Sequence, residues 1–499
     1  MPSMRRVWRE LTGAKGLLLA VAGGALFLGA CSVGPDYVRP TVMVPPVFKE
    51  MSGWKVARPQ DHRSRGKWWE LFGDTYLNGL AEQVTVSNQT LAVAEAQFRQ
   101  ARALVQAARA AYFPTATAGA SFARSQQSSQ IAGFTGSKTA SPSSTFLLPL
   151  NASWEPDIWG RVRRSVEASQ AGAQASAADL EAARLSLQAE LVQDYFQLRT
   201  LDAQKKLLDM TAAAFRKGLE LTRNRYGSGV ASRADVLQAE TQLKSTEAQA
   251  IDTGVQRAQM EHAIATLIGR PASTFSISFM PVDTLPPEVP VGLPSELLER
   301  RPDIAAAERR IAAANAQIGA AEAAYYPSVT LTASAGFESS DLSHWLTWPN
   351  RFWSFGPAIT ETLYDGGLRG AQTDQARALY DASVATYRQA VLTAFQGVED
   401  NLAALRILEQ EAGVQGEAVK AAQQSVTFTT NQYRAGTVSY LDVIVTQTVA
   451  LTNELTAINI LGRRMTASVL LINVLGGGWD VSALPSENDV SRSGGKKGP

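Results

Sequence analysis

The chain carries its structural plan twice, and that self-similarity constrains the fold more than any other feature. Arg109-Ala-Ala-Tyr112-Phe113-Pro114 returns as Glu322-Ala-Ala-Tyr325-Tyr326-Pro327. Farther on, Asn224-Arg-Tyr226-Gly-Ser-Gly229-Val-Ala-Ser232-Arg-Ala-Asp235 returns as Asn431-Gln-Tyr433-Arg-Ala-Gly436-Thr-Val-Ser439-Tyr-Leu-Asp442. Each half reads as helix, two strands, very long helix, turn, helix. The 499 residues therefore form one architecture of two similar halves rather than several unrelated domains.

The first repeat spans 76–269. Its helical pattern begins near Leu77 and stops at Pro114, where the missing N–H ends the hydrogen-bond ladder. Beyond it the period switches to two: Ala116, Ala118, Ala120 and Phe122 on one face, Thr117, Gly119 and Ser121 on the other. A polar loop leads to Leu148, Leu150, Ala152 and Trp154, which alternate with Asn151, Ser153 and Glu155 and close a hairpin over about 115–156. The second repeat, 302–477, carries its hairpin at about 327–364. There Val329, Leu331, Ala333, Ala335 and Phe337 alternate with threonine, serine and glycine, and Trp353, Phe355 and Ile359 follow a loop holding His344, Trp345 and Trp348. Apolar residues on one face and small polar ones on the other fit membrane barrel strands; soluble hairpins packed on the helices are the competing reading.

After each hairpin comes a run with no proline, 160–226 and 367–433, followed by a second helix at 232–268 and 439–475. Roughly 65 helical residues reach ~100 Å, the length of a spacer between compartments rather than of a globular domain. Residues 270–301 are Pro-rich and read as a linker with a possible short strand, 31–75 as an extended arm, and 478–499 as a disordered tail.

The N-terminus reads as a targeting segment, 1–30. Arg5, Arg6, Arg9 and Lys15 precede the apolar run Gly16 to Ala30, and the single cysteine, Cys31, follows at once. The run is short for a spanning helix and fits a removed signal. Leu28-Gly29-Ala30-Cys31 resembles the bacterial lipobox, which implies a diacylglyceryl thioether and an N-acyl group on Cys31, and Ser32 beside it implies sorting to the outer membrane. A plain signal-anchor with a chance cysteine is the alternative. A lone cysteine fits no disulfide or metal scheme.

Four strands cannot close a barrel, and open edges are not tolerated in hydrocarbon. The chain must share its barrel with copies of itself: three copies give twelve strands, two give eight, and strand number alone leaves both open.

Further motifs identify a family. They are Cys31-Ser-Val-Gly34-Pro35-Asp36-Tyr37, Trp68-Trp69-Glu-Leu-Phe72-Gly-Asp74, Glu155-Pro-Asp157-Ile-Trp-Gly160-Arg161, Leu298-Glu-Arg300-Arg301-Pro302-Asp303-Ile304, and the run from Tyr433 through Gly436 to Tyr440-Leu441-Asp442-Val443. In this order, covering about Cys31 to Gly478, the chain resembles the TolC-like outer-membrane efflux proteins, in their lipidated NodT-type branch. The resemblance implies a mainly helical homotrimer, its long α-barrel continuing into a twelve-stranded outer-membrane β-barrel. It also implies a periplasmic adaptor and an inner-membrane RND-type pump as partners, with export of drugs or other small molecules. A type I protein-secretion duct and a non-conducting lipid-anchored tether are the alternatives.

The helix tips carry the candidate site. Ser232 and Ser439 precede Asp235 and Asp442 by three residues, close to a capping box. The resemblance implies that such aspartates line a periplasmic constriction, where three Asp442 carboxylates would form a cation-attracting ring; capping and gating are both open for Asp235 and Asp442. Val438 and Val445 stand where some relatives carry polar gate residues. Gly229, Gly436, Tyr226 and Tyr433 mark the expected partner contact. Arg161, Arg163 and Arg164 read as a solvated face, with lipid-phosphate contact the alternative, and Trp345, Trp348 and Trp353 as an aromatic girdle or as loop packing.

Enzyme chemistry has no support in the pattern. His62, His262 and His344 are far apart, and no metal, nucleophile-elbow or nucleotide-binding spacing occurs. No catalytic residue, cofactor or metal is expected beyond the lipid at Cys31. With 47 basic and 46 acidic residues, the charge balance gives no sign of nucleic-acid binding.

Overall fold

The computed structural model describes residues 33–51, 66–126, 142–287, 289 and 294–492. The signal segment 1–30 and Cys31 lie outside the described residues, as do 493–499. The first repeat holds α1 (Thr75–Ser87), α2 (Gln89–Ala110), β1 (Thr115–Ala118), β2 (Ser121–Ser125), β3 (Ser143–Trp154), α3 (Arg161–Gly227) and α4 (Arg233–Leu267). The second holds α5 (Pro302–Ala323), β4 (Ser328–Ser339), β5 (Arg351–Thr360), α6 (Leu368–Ala435) and α7 (Tyr440–Val474).

The helical stretch before Pro114 is two helices rather than one. Asn88 takes an extended conformation between them, accepts the Leu91 N–H at 2.9 Å and donates to the Leu267 carbonyl at 2.7 Å. One side chain thus caps the start of α2 and the end of α4, satisfying orphan groups at both.

All strands among the described residues join one antiparallel sheet in the order β1/β2, β3, β4, β5. β1 and β2 are one strand in register terms, because Ala118 faces Leu150 and Ser121 faces Leu147. The break falls opposite Pro149, which has no N–H to donate. Paired residues share a face, so Ala116, Ala118, Phe122, Leu148, Leu150, Ala152, Leu331, Ala333, Phe355 and Ile359 make one continuous apolar surface. Asn151, Ser153, Thr332, Ser334 and Ser354 line the other, where the Ser334 hydroxyl donates to Asn151 Oδ1 at 2.6 Å.

The helices repeat the sheet's order. Near the strands α3 lies between α2 and α5, and α6 packs on the far side of α5; toward the tips the order is α4, α3, α7, α6. α3 and α6 have 67 and 68 residues, ~100 Å each. α7 is long and apolar enough to cross a membrane, but its apolar face is used within the trunk: Gly462 sits so close to Thr200 of α3 that a Cβ would lie 2.7 Å from the hydroxyl.

A thick waist holds the main core. Trp68, Trp69 and Leu77 bury against Tyr195 and Leu198 of α3, with Tyr387 of α6 and Met465 of α7 completing the layer. The linker is pinned there, and its described residues form no strand. Arg199 donates to the Ser278 carbonyl at 2.6 Å, Arg257 to the Ile277 carbonyl at 2.6 Å, and the buried Asp202 accepts from Arg257 at 2.7 Å and from the Met280 N–H at 2.9 Å. Paired and hydrogen-bonded in this way, the charges tolerate burial.

The C-terminal tail corrects an expectation. Instead of being disordered through its length, it forms α8 (Glu487–Ser491) on α2 and α3. Val490 is fully buried with Val105 and Ala173, Trp479 and Leu484 pack against Ala178, Ala305 and Ala306, and Arg102 and Arg109 donate to the carbonyls that end α8. Apolar anchors spaced among polar residues made the segment look solvated in the sequence.

Candidate functional site

The two helix tips are built alike and surrounded differently. α3 ends through Gly229 at φ +75 and α6 through Gly436 at φ +78, a left-handed cap that favours glycine. In the first tip Ser232 accepts the Asp235 N–H at 3.1 Å while Asp235 accepts the Ser232 N–H at 2.8 Å. In the second, Asp442 Oδ2 accepts both the Ser439 N–H, at 2.9 Å, and the Ser439 hydroxyl, at 2.7 Å. Each carboxylate therefore starts its helix.

The surroundings separate the two aspartates. Asp442 is exposed, and Leu441, Val445 and Val449 of α7 are about half exposed beside it. Spacings of three and seven place Asp442, Val445 and Val449 on one helix face. Val438 does not join them: it packs into the tip cluster with Tyr433, Tyr440 and Val443. Asp235 is half-buried and its helix start lies over Val236 of the same cluster.

The repeat-related tyrosines also diverge. Tyr226 is exposed, whereas Tyr433 is buried, 5.3 Å from the Tyr440 ring. Arg225 lies 4.6 Å over the Tyr433 ring and donates to the Tyr433 carbonyl at 2.9 Å. Tyr440 reaches back to α3 at Gly218, where burial pushes its phenol pKa up. Arg225, Tyr433 and Tyr440 thus tie the α6–α7 hairpin to the end of α3. The sequence reading missed Arg225, although its signal was present: the first repeat has Asn224-Arg-Tyr226 where the second has Asn431-Gln-Tyr433.

A second assembly lies where the trunk meets the sheet. Arg164, expected on a solvated face, is buried instead. It donates to the Val33 and Gly34 carbonyls, both at 3.2 Å, and pairs with Asp36 at 3.0 Å and Glu167 at 2.9 Å. The burial of Arg164 goes with a close backbone approach. Gly34, at φ +95, approaches Gly319 of α5 so closely that a Cβ on Gly34 would sit 2.3 Å from its Cα, which draws the arm over the guanidinium. From there the arm crosses α5 and α6: Asn315 donates to the Pro35 carbonyl at 2.9 Å, Tyr37 to Glu308 at 3.2 Å, and Phe48 packs 6.5 Å from Phe395. Val33, two residues after Cys31, donates to the Trp159 carbonyl at 3.2 Å, so the arm starts beside the sheet.

Among the described residues no group of acidic, histidine or cysteine side chains is arranged to hold a metal ion.

The outer membrane efflux protein profile matches residues 80–270 and 293–477, three quarters of the chain and both copies of the repeat. The chain belongs to that family. It is 32% identical over 465 residues to the probable efflux pump outer membrane protein TtgC of Pseudomonas putida, covering 93% of this chain and 96% of that one. The outer-membrane channel OprN superposes with a TM-score of 0.83 at 31% identity, covering 90% of this chain and all of OprN. The open state of the Neisseria gonorrhoeae MtrE outer membrane channel superposes with a TM-score of 0.77 at 30% identity, over 90% of this chain and 99% of MtrE. Both the fold and the function of an outer-membrane efflux channel component follow from this membership; the family is one of channels, not of enzymes.

Proposed function

We propose that three copies of this chain close into one tube, a passive exit duct for small molecules whose inner end is shut by the helix tips. The carrying observation is that sheet and trunk share one element order and end on unpaired elements. β1/β2 and β5 are the sheet's open edges, α2 and α6 flank the upper trunk, and α4 and α6 flank the lower one. The flanking helices carry large exposed apolar side chains: Leu104 on α2, Ile251 and Val255 on α4, Leu392 and Phe428 on α6. Edges of unlike identity meet head to tail, and such contacts close into rings. The apolar sheet face then meets lipid while the serine, threonine and asparagine face lines the lumen.

At the inner end, threefold symmetry brings three Asp442 carboxylates around the axis, with Val445 and Val449 as apolar collars behind them; a charged ring attracts cations and a hydrophobic constriction dewets. Asp235 serves chiefly as a helix cap, and Val438 supports the tip from within. The exposed Tyr226, Gly229 and Gly436 present the partner surface, so a periplasmic adaptor docks there and an inner-membrane RND-type pump supplies the energy. Tyr433, buried under Arg225, belongs to the latch rather than to that surface. Diacylglyceryl and N-acyl groups on Cys31 anchor the arm in the outer membrane beside the barrel, a second attachment in addition to the strands. The chain's own residues perform no chemistry in this scheme.

Planar-bilayer recording of the purified protein tests the proposal. Discrete conductance steps from a detergent-stable trimer are expected. A monomer without conductance would overturn the duct in favour of a lipid-anchored tether.

A further inference from the structure

We infer that the outer rim of the sheet recognises phosphate-bearing lipid headgroups of the outer leaflet through an arginine at each edge, Arg351 of β5 and Arg124 of β2. The inference rests on the reading that the apolar sheet face meets the bilayer. Register places both arginines on that face. Arg351 pairs with Phe337, which pairs in turn with Leu148; Arg124 lies two residues beyond Phe122, which pairs with Phe146. Both stand at the strand ends away from the trunk, Arg351 opening β5 and Arg124 next to the last residue of β2.

A charge on the lipid face is strongly disfavoured at mid-bilayer and tolerated at the interface. Here the interface is marked by aromatic rings. Phe122 lies 4.7 Å from Phe146, which lies 5.8 Å from Trp345, and the Trp345 indole N–H donates to the Phe337 carbonyl at 3.3 Å. The Arg351 guanidinium sits 4.1 Å over the Trp348 ring, and Trp348 and Trp353 are both about three quarters exposed. Trp345 packs into this band, while Trp348 and Trp353 stand outward in the manner of a girdle.

A guanidinium held over an indole ring keeps its N–H donors available to a phosphate, which it can grip bidentately. The loop's acid is occupied elsewhere: Asp341 accepts the Ser343 N–H at 3.0 Å and contacts His344 at 3.3 Å. No ion pair is formed by Arg124 or Arg351 with the described residues. Each thus has a hydrocarbon stem for the acyl region and a cation for the headgroup above it.

The test is native mass spectrometry of the detergent-solubilised protein titrated with a diphosphorylated glucosamine-based lipid, and with the same lipid after enzymatic dephosphorylation. The wild type should retain the phosphorylated lipid roughly tenfold better. Arg124→Gln with Arg351→Gln should bring that ratio near one, Arg351→Lys should lose part of it, and bilayer conductance should stay unchanged. Equal retention of the two lipids by the wild type, or an undiminished ratio in the double variant, would overturn the inference. Loss of conductance in the wild type would instead strike the duct itself. Should the double variant fail to assemble, Trp348→Ala carries the test, with a weakened phosphate preference expected.

Discussion

The waist and the tips of this trunk share α3, α4, α6 and α7, yet they are held in opposite ways. At the waist, Trp68, Trp69, Tyr195, Leu198, Tyr387 and Met465 are buried together, and the arm, the linker and the C-terminal segment are strapped across the outside. Toward the tips only two small clusters remain, one around Phe215, Tyr433 and Tyr440 and one around Leu208 and Leu451. Leu237, Ile251, Val414 and Phe428 of the same stretch are exposed. Few buried contacts mean low local stability, the regime from which moving parts are drawn. The waist is the densely packed frame, and the tips are held by small clusters and the tie from Arg225 to Tyr433.

Substitutions at the waist and at the tips should act differently. The largest effect belongs to the waist: Trp68→Ala should cost about 3–5 kcal/mol, read as a fall in the thermal midpoint. A loss no greater than that of Phe215→Ala at the tip would erase the distinction. Next is the strap. Arg164→Met leaves the Val33 and Gly34 carbonyls without their partner, a loss of about 2–3 kcal/mol, and should expose the arm to limited proteolysis while single-channel conductance persists. At the tip the balance reverses. Arg225→Ala removes the bond to the Tyr433 carbonyl and the stacking on its ring, about 1–2 kcal/mol, so the melting curve should barely move while the fraction of time spent open rises. Asp442→Ala loses a helix-start bond worth about 0.5–2 kcal/mol and should increase ion leakage and abolish cation preference, whereas Asp235→Ala should lower stability alone. Unchanged conductance and selectivity in Asp442→Ala would remove it from the gate.

The smallest effect is one of pH. Burial, aided by the neighbouring Glu190, pushes the Asp194 carboxyl up to about 6 from its ordinary 3.8. Its protonated form is favoured in the fold, so its stabilising contribution is complete below pH 4 and is lost as pH rises through 6. Asp194→Asn should therefore melt slightly higher than the parent at pH 8 and alike at pH 4; a gain confined to low pH would contradict the assignment.

Much of this was legible because repetition and period are written directly in residue types. The alternation Val329, Leu331, Ala333, Ala335, Phe337 matches one face of β4, and the proline-free runs match α3 and α6. What escaped was set by contacts distant in the chain. Asn88 breaks a helix because the Leu267 carbonyl waits nearby, and Pro149 splits a strand from across the sheet. Arg164 is buried by a glycine pair, Gly34 and Gly319, separated by most of the sequence, and the tail is ordered by Val105 and Ala173. In the site, Asp235, Asp442, Val445 and the two glycines stand at the tips, but the sequence did not separate a buried Tyr433 from an exposed Tyr226, nor Val438 from Val445. The two tips share tyrosine, serine and aspartate at matching positions, and apart from Arg225 against Gln432 the difference in burial comes from what packs on them.

The arm imposes an order of events on biosynthesis. Its docking partners, Trp159, Arg164, Glu308, Asn315, Phe395 and Arg406, all emerge from the ribosome long after it. Val33, Gly34 and Asp36 can meet Trp159 and Arg164 once the first half is made, whereas Pro35, Tyr37, Phe48 and Glu50 find Asn315, Glu308, Phe395 and Arg406 only when the second half follows.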